Sequence, residues 1–271
     1  MLLNQVYGMA NCGPAKFILL EGINGAGKST MIKMLGADLS TSREVFITAE
    51  PSRSSFGRII RGVIDGSFVS RRLFLEAEDD LASFWEGGHS GFCSGIHVIL
   101  EFLQKHRGQL SEAERQKLFV ADRLMHLVEE VIIKLMIHHA WVLQDRYDIS
   151  SYCHGMANGF SFERNLSCHQ AALRELYLAP DIIFYLWIPV GLAVERLTQS
   201  GKVIDLYEST DTLRKVEMAA RQLLGFVGEQ PKPGKYLERE FAVLGVHRRI
   251  FIINAESNEK EVFASVRKLI D

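Results

Sequence analysis

The stretch FILLEGINGAGKSTMIKML, residues 17 to 35, decides how the rest of the chain is read. It passes from consecutive apolar residues, through a loop with three glycines, into a segment of helical spacing. Gly22-Ile23-Asn24-Gly25-Ala26-Gly27-Lys28-Ser29 satisfies the pattern GxxxxGK[ST]. Glycines at these places let backbone N–H groups curl around phosphate oxygens at the start of a helix, whose dipole also favours negative charge. Lys28 is then expected to reach the β- and γ-phosphates of a nucleoside triphosphate, and the Ser29 hydroxyl to meet Mg2+. Residues Gly22 to Thr30 are the expected donor site.

Working outward, four more short apolar runs resemble the one that precedes the loop. KFILLEG (16–22), EVFITAE (44–50), AWVLQDR (140–146), DIIFYLWI (181–188) and RIFIINA (249–255) are β-branched or aromatic on consecutive positions. Strands covered on both faces have that character. Helical patterns lie between them. Residues 29–40 follow the glycine loop, and 117–139 place Leu118, Ala121, Leu124, Leu127, Val128, Val131, Ile132 and Leu135 on one face. Alternating strands and helices predict an α/β fold with a parallel sheet in one domain, residues 16–271, behind a loose extension at 1–15.

Two regions break the rhythm. Residues 66–115 hold the acidic run Glu76, Glu78, Asp79, Asp80 and the glycine-rich EGGHSGFCSG, more than a crossover helix requires, and read as an inserted segment. Residues 226–245, with GEQPKPGK, read as a loop and short helix before the last strand.

Composition narrows the partners. A formal charge of -2 argues against a surface built to neutralise many nucleic-acid phosphates, and a small anionic ligand fits better. The four cysteines, Cys12, Cys93, Cys153 and Cys168, form no CxxC pair, so reduced thiols in a cytoplasmic protein are expected, without a disulfide framework or zinc site. No apolar run approaches the ~18 residues that span a bilayer, and the start has no cationic n-region before a long apolar segment.

The phosphate loop leaves the second substrate open. The third strand addresses it, because WVLQDRY ends in Asp145-Arg146. In a parallel sheet the carboxyl ends of the strands line the ligand crevice, which puts both residues near Lys28. An arginine there can fork onto a phosphate, and a carboxylate can hold metal-bound water.

Together with EPSRSSFGRIIR (50–61), LFVADRLMHLVEEVI (118–132), DRYDISSYCHG (145–155) and PDIIFYLWIPVGLAVERL (180–197), in that order, the chain resembles the thymidylate kinase family of nucleoside monophosphate kinases. The resemblance implies a P-loop three-layer sandwich with a five-stranded parallel sheet, order 2-3-1-4-5, a helical lid at about 196–215, and a homodimer. It implies transfer from ATP to dTMP with Mg2+. Carried over by position, Phe119 stacks on the thymine ring and Arg123 hydrogen-bonds it. Arg146 holds the acceptor phosphate, Asp145 with Ser29 lies near magnesium, and Ser150 and Ser151 lie near base and sugar. Arg53 and Arg61 belong to the segment that approaches the acceptor phosphate.

Departures from the family pattern are specific. Asn24 stands where an aspartate usually contacts the acceptor 3′-hydroxyl, Ala49 where an arginine precedes Glu50-Pro51, and His154 where a tyrosine helps exclude a 2′-hydroxyl. Two lid arginines are replaced by Ser200 and Leu206, leaving Arg196, Lys202 or Arg214 as substitutes. Two alternatives follow: a kinase of the same fold with another nucleotide or nucleoside as acceptor, or a catalytically weak nucleotide-binding regulator.

Overall fold

A computed structural model of the chain describes residues 15–64, 76, 110–173, 176–201, 209–243 and 246–270. Most of the segment 66–115, the extension before residue 15, and Lys202 and Leu206 of the lid lie outside these residues.

All five residues of β1 (Phe17–Glu21) are buried, as an unbroken apolar run at the centre of a sheet requires. The phosphate loop then turns directly into α1 (Lys28–Leu39). The order continues with β2 (Val45–Ala49), α2 (Ser55–Ile64), α3 (Glu112–His126), a π-helical turn at Leu127–Val131, α4 (Ile132–Met136) and β3 (Trp141–Asp145). After β3 come α5 (Asp148–Ala157), α6 (Phe162–Leu173), β4 (Ile182–Trp187), α7 (Val190–Gln199), α8 (Thr210–Leu223), β5 (Tyr236–Val243), β6 (Val246–Asn254) and α9 (Glu259–Arg267). Helix α3 starts on a capping box in which Ser111 and Glu114 satisfy each other's backbone donors. Helices α8 and α9 start on Ser209 and Asn258 caps.

The α/β class and the five parallel strands are as the sequence predicts, in spatial order β2-β3-β1-β4-β6. The strand count is corrected. Residues 236–243, expected as part of a loop with a short helix, form a sixth strand antiparallel to β6 at the sheet edge. Exposure rises and falls every second residue along YLEREFAV. That period suits a half-covered edge strand, and its polar members concealed it from a search for apolar runs. The predicted helix over 117–139 is also interrupted. The turn Leu127–Val131 is wound one residue wider than an α-helix, with Leu127 and Val131 both fully buried.

Helix α1 packs over β1, β2 and β3 and against α9, while α5 packs against α6 and α8. The core of the sheet is thereby closed, and the carboxyl ends of β1, β2 and β3 converge beside the glycine loop. Among the described residues no helix is long and apolar enough to cross a membrane.

Candidate active site

The loop geometry explains its glycines. Gly22 has φ +136°, and a Cβ there would lie 2.5 Å from the carbonyl oxygen of Leu186. Gly25 has φ +82°, and a Cβ would meet the Ala193 carbonyl oxygen at 2.6 Å. Any side chain would force the loop off β4 and α7. Lys28, 5% exposed, folds back so that its Nζ donates to the carbonyls of Gly22 and Ile23, both at 3.0 Å. Ser29 Oγ donates to Asp145 Oδ2 at 3.2 Å. The other carboxylate oxygen of Asp145 is buried and has no hydrogen-bond partner among the described residues. An orphaned carboxylate oxygen beside a hydroxyl fits a hard divalent cation such as Mg2+.

Register places Asp145 opposite Leu20 of β1 and Ala49 of β2, so it and Arg146 do reach the loop. Arg146 adopts a left-handed backbone, φ 69°, rare for a residue with a Cβ. Its Nη1 donates to the Gly22 carbonyl at 3.3 Å and to Ser150 Oγ at 3.0 Å, and its Nη2 bonds Asn24 Oδ1. Asn24, Arg146 and Ser150 are therefore one hydrogen-bonded group across the mouth of the loop. His154, on α5 two turns after Tyr147, is pulled down to about 3 by desolvation, with the charges of Arg146 and Lys28 adding to it. It stands neutral beside two cations.

A second group lies deeper. Arg123 is 1% exposed; its Nε and Nη2 donate to Glu50 Oε2 at 2.9 and 2.6 Å, and Nη2 also to Ser151 Oγ at 3.0 Å. Its guanidinium lies 4.7 Å from the Tyr147 ring centroid, and Nη1 pairs with His169 Nε2. The Nδ1 of His169 donates to the Asn165 carbonyl at 2.9 Å, which leaves Nε2 as the acceptor for Arg123. Burial alone would raise the pKa of Glu50, but Arg123 and His126 hold it below the ordinary carboxylate value. Phe119 is half-buried on α3, one turn before Arg123.

The Glu50–Ser54 loop is clamped from below. Asp122 accepts from the Ser52 amide and the Ser52 hydroxyl, both at 2.6 Å. Arg61 turns back onto the carbonyls of Pro51 and Ser52 and braces the loop, while Arg53 is exposed. In the lid region Arg214 is exposed beside Asp211, whereas Arg196 donates to the Ala255 carbonyl at 3.0 Å.

Arg196 also lines a cleft of about 370 Å³ with Ala26, Gly27, Thr30, Asn258 and Val262. This cleft on the outer side of the phosphate loop was not anticipated from the sequence. Its one available signal is the run Asn258-Glu259-Lys260-Glu261 after the last strand, which announces a helix N-terminus.

The family model for thymidylate kinase matches residues 20–77 and 91–230. The chain belongs to the thymidylate kinase family. A probable thymidylate kinase of Thermococcus kodakarensis is 31% identical over 201 residues, covering 73% of this chain and 78% of that protein. The relative from Pyrococcus abyssi, also a probable thymidylate kinase, is 29% identical over 209 residues, 74% and 79% of the two chains. A thymidylate kinase of Akkermansia muciniphila is 30% identical over 188 residues, 69% of each.

Within this thymidylate kinase family member, His126 links the buried group to the surface. Its Nε2 meets Thr48 Oγ1 at 2.6 Å and Glu130 Oε2 at 3.3 Å, and its Nδ1 lies 3.6 Å from Glu50 Oε1. Burial opposes its charge, yet the neighbouring carboxylates of Glu130 and Glu50 raise its pKa to about 9. A pKa above the ordinary 6.5 means stability that is complete below pH 6.5 and lost as pH rises through about 9. His154, shifted the other way, weakens the fold as pH falls below 6.5. Thermal melting from pH 6 to 9.5 should therefore show an alkaline decline that flattens in His126→Gln. Equal slopes in the two proteins would contradict the assignment.

Proposed function

We propose that this protein phosphorylates dTMP at the expense of ATP, yielding dTDP and ADP. The observation that carries the reading is the convergence of Lys28, Ser29, Asp145 and Arg146 around one loop, in a chain of the thymidylate kinase family.

In this reading the loop amides from Gly22 to Thr30 cradle the ATP phosphates, and the cleft beside Arg196 and Asn258 takes the donor nucleoside. Ser29 and Asp145 would hold Mg2+, which neutralises charge on the phosphates. Arg146 grips the acceptor phosphate from the opposite side, held in place by Ser150 and Asn24 and offering the phosphate the N–H groups that those bonds do not use. An acceptor phosphate oxygen attacks the γ-phosphorus, and the bond to the β–γ bridging oxygen breaks, releasing ADP. That oxygen is anionic and needs no general base, so positioning and charge neutralisation dominate. Lys28 exchanges its two carbonyl partners for phosphate oxygens. Phe119, Arg123 and Ser151 face the acceptor base, Ser150 and His154 border the sugar, and the exposed Arg53 is offered to the acceptor phosphate.

Asn24 tunes this arrangement. Its amide oxygen gives Arg146 a neutral acceptor, and an aspartate would give a charge-assisted one, roughly twice as strong. Asn24→Asp is expected to raise kcat/KM for dTMP about fivefold. Unchanged or lower turnover would show that this loop holds its acceptor differently.

The homodimer of the family and a cytoplasmic setting belong to the same reading. The exposed Ile133 and Ile137 at the end of the long helical run support the former. The decisive assay is purified protein with ATP and Mg2+ against a panel of nucleoside monophosphates and nucleosides. Preferential formation of dTDP supports the reading; dTMP turnover no better than that of other acceptors would overturn it.

A further inference from the structure

Glu21, the last residue of β1, is fully buried, an expensive place for a carboxyl group unless every lone pair is used. Its Oε1 accepts from the Tyr147 amide at 2.7 Å and the Ser150 amide at 3.4 Å. Its Oε2 accepts from the Ser150 hydroxyl at 2.5 Å. That same hydroxyl oxygen accepts from Arg146 Nη1 at 3.0 Å. One buried carboxyl group thus fixes Arg146 at both ends, through the amide just after its left-handed Cα and through the tip of its side chain.

The backbone conformation of Arg146 is one that residues with a Cβ avoid, so it persists only where neighbours over-determine it. Three bonds do so here. The Arg146 amide donates to the Leu20 carbonyl at 3.0 Å, the Arg146 carbonyl accepts from Gln144 Nε2 at 2.9 Å, and the Tyr147 amide goes to Glu21. Of these partners only Glu21 also reaches the guanidinium.

We propose that Glu21 is a positioning residue for the phosphoryl acceptor, setting the Arg146 guanidinium through the Tyr147 amide and the Ser150 hydroxyl. The chemistry at Ser150 requires a carboxyl group rather than an amide. A hydroxyl that donates to Glu21 keeps its lone pairs for Arg146. The NH2 end of a glutamine would instead donate to that oxygen, compete for the same lone pairs, and turn the hydroxyl hydrogen toward the arginine.

This inference rests on the reading that Arg146 holds the acceptor phosphate. Steady-state kinetics on the full chain with ATP, Mg2+ and dTMP compare wild type, Glu21→Gln, Ser150→Ala and the double variant. Each single change is expected to raise KM for dTMP about tenfold while KM for ATP stays within about twofold. Because both break one chain of bonds, the double variant should be no worse than the more damaged single. Multiplicative losses in the double variant, or equal rises in both KM values, would overturn the proposal. If Glu21→Gln fails to fold, a crystal structure of Ser150→Ala decides: Arg146 displaced from Gly22 and Asn24 supports it, and Arg146 unmoved refutes it. If wild type does not use dTMP, the functional reading falls and a crystal structure of Glu21→Gln takes over. Arg146 displaced from Ser150 and Asn24 would support the link, and Arg146 unmoved would end it.

Discussion

Replacing Lys28 by alanine is expected to lower kcat for dTMP phosphorylation by about 10²–10³-fold, the cost of removing one preorganised charged donor from a developing anion. The structure says why the effect should fall on turnover more than on folding. Lys28 Nζ is satisfied by two loop carbonyls, and its buried stem sits at the start of α1. An alanine keeps the helix and leaves the carbonyls of Gly22 and Ile23 for water. Melting should therefore change little while single-turnover dTDP formation collapses. A variant retaining a tenth or more of the activity would mean that another cation, such as Arg196 at the cleft, performs this role.

The largest stability effect is expected at Glu50. Glu50→Ala strips the carboxylate from two buried cations at once, Arg123 at 2.6 Å and His126 at 3.6 Å. Removing one member of a buried charged group costs about 3–5 kcal/mol, because the remaining charges stay desolvated without their counter-ion. For a chain of this size that corresponds to a fall in Tm on the order of 10 °C, read by scanning calorimetry. The loss should shrink at high pH, where His126 is neutral in wild type and variant alike. A change of less than about 1 kcal/mol would show that the group relaxes to admit water.

Glu50 and Glu21 also mark where sequence reading stops. The glycine loop, the parallel strands and the approach of Asp145-Arg146 to that loop were legible, because apolar runs and a spaced motif are local signals. The family resemblance extended this to Arg123, Ser150 and Ser151, and the structure does bring Ser150 to Arg146 and Ser151 to Arg123. The carboxyl groups behind them were not legible. Glu21 and Glu50 each read as a polar residue closing an apolar strand, and only the meeting of β1, β2 and β3 at one edge buries them. Arg61 illustrates the converse. The resemblance put it in the segment that approaches the acceptor phosphate, and no signal in the sequence showed that a helix residue ten positions after Pro51 returns to the loop and caps its carbonyls. The β5–β6 hairpin escaped because half of an edge strand faces solvent, so its sequence carries alternation instead of an apolar run. His169 had no signal at all; only the packing of α6 on α3 brings it to Arg123.

The central claim is that a phosphate loop joined to Arg146 makes this chain an active kinase of dTMP, despite Asn24 and the substituted lid positions. The most direct measurement is a single turnover of γ-labelled ATP with excess enzyme, Mg2+ and dTMP. Wild type should pass the label to dTDP, and Lys28→Ala should suppress that transfer. Binding of both nucleotides with no label reaching dTDP would contradict it.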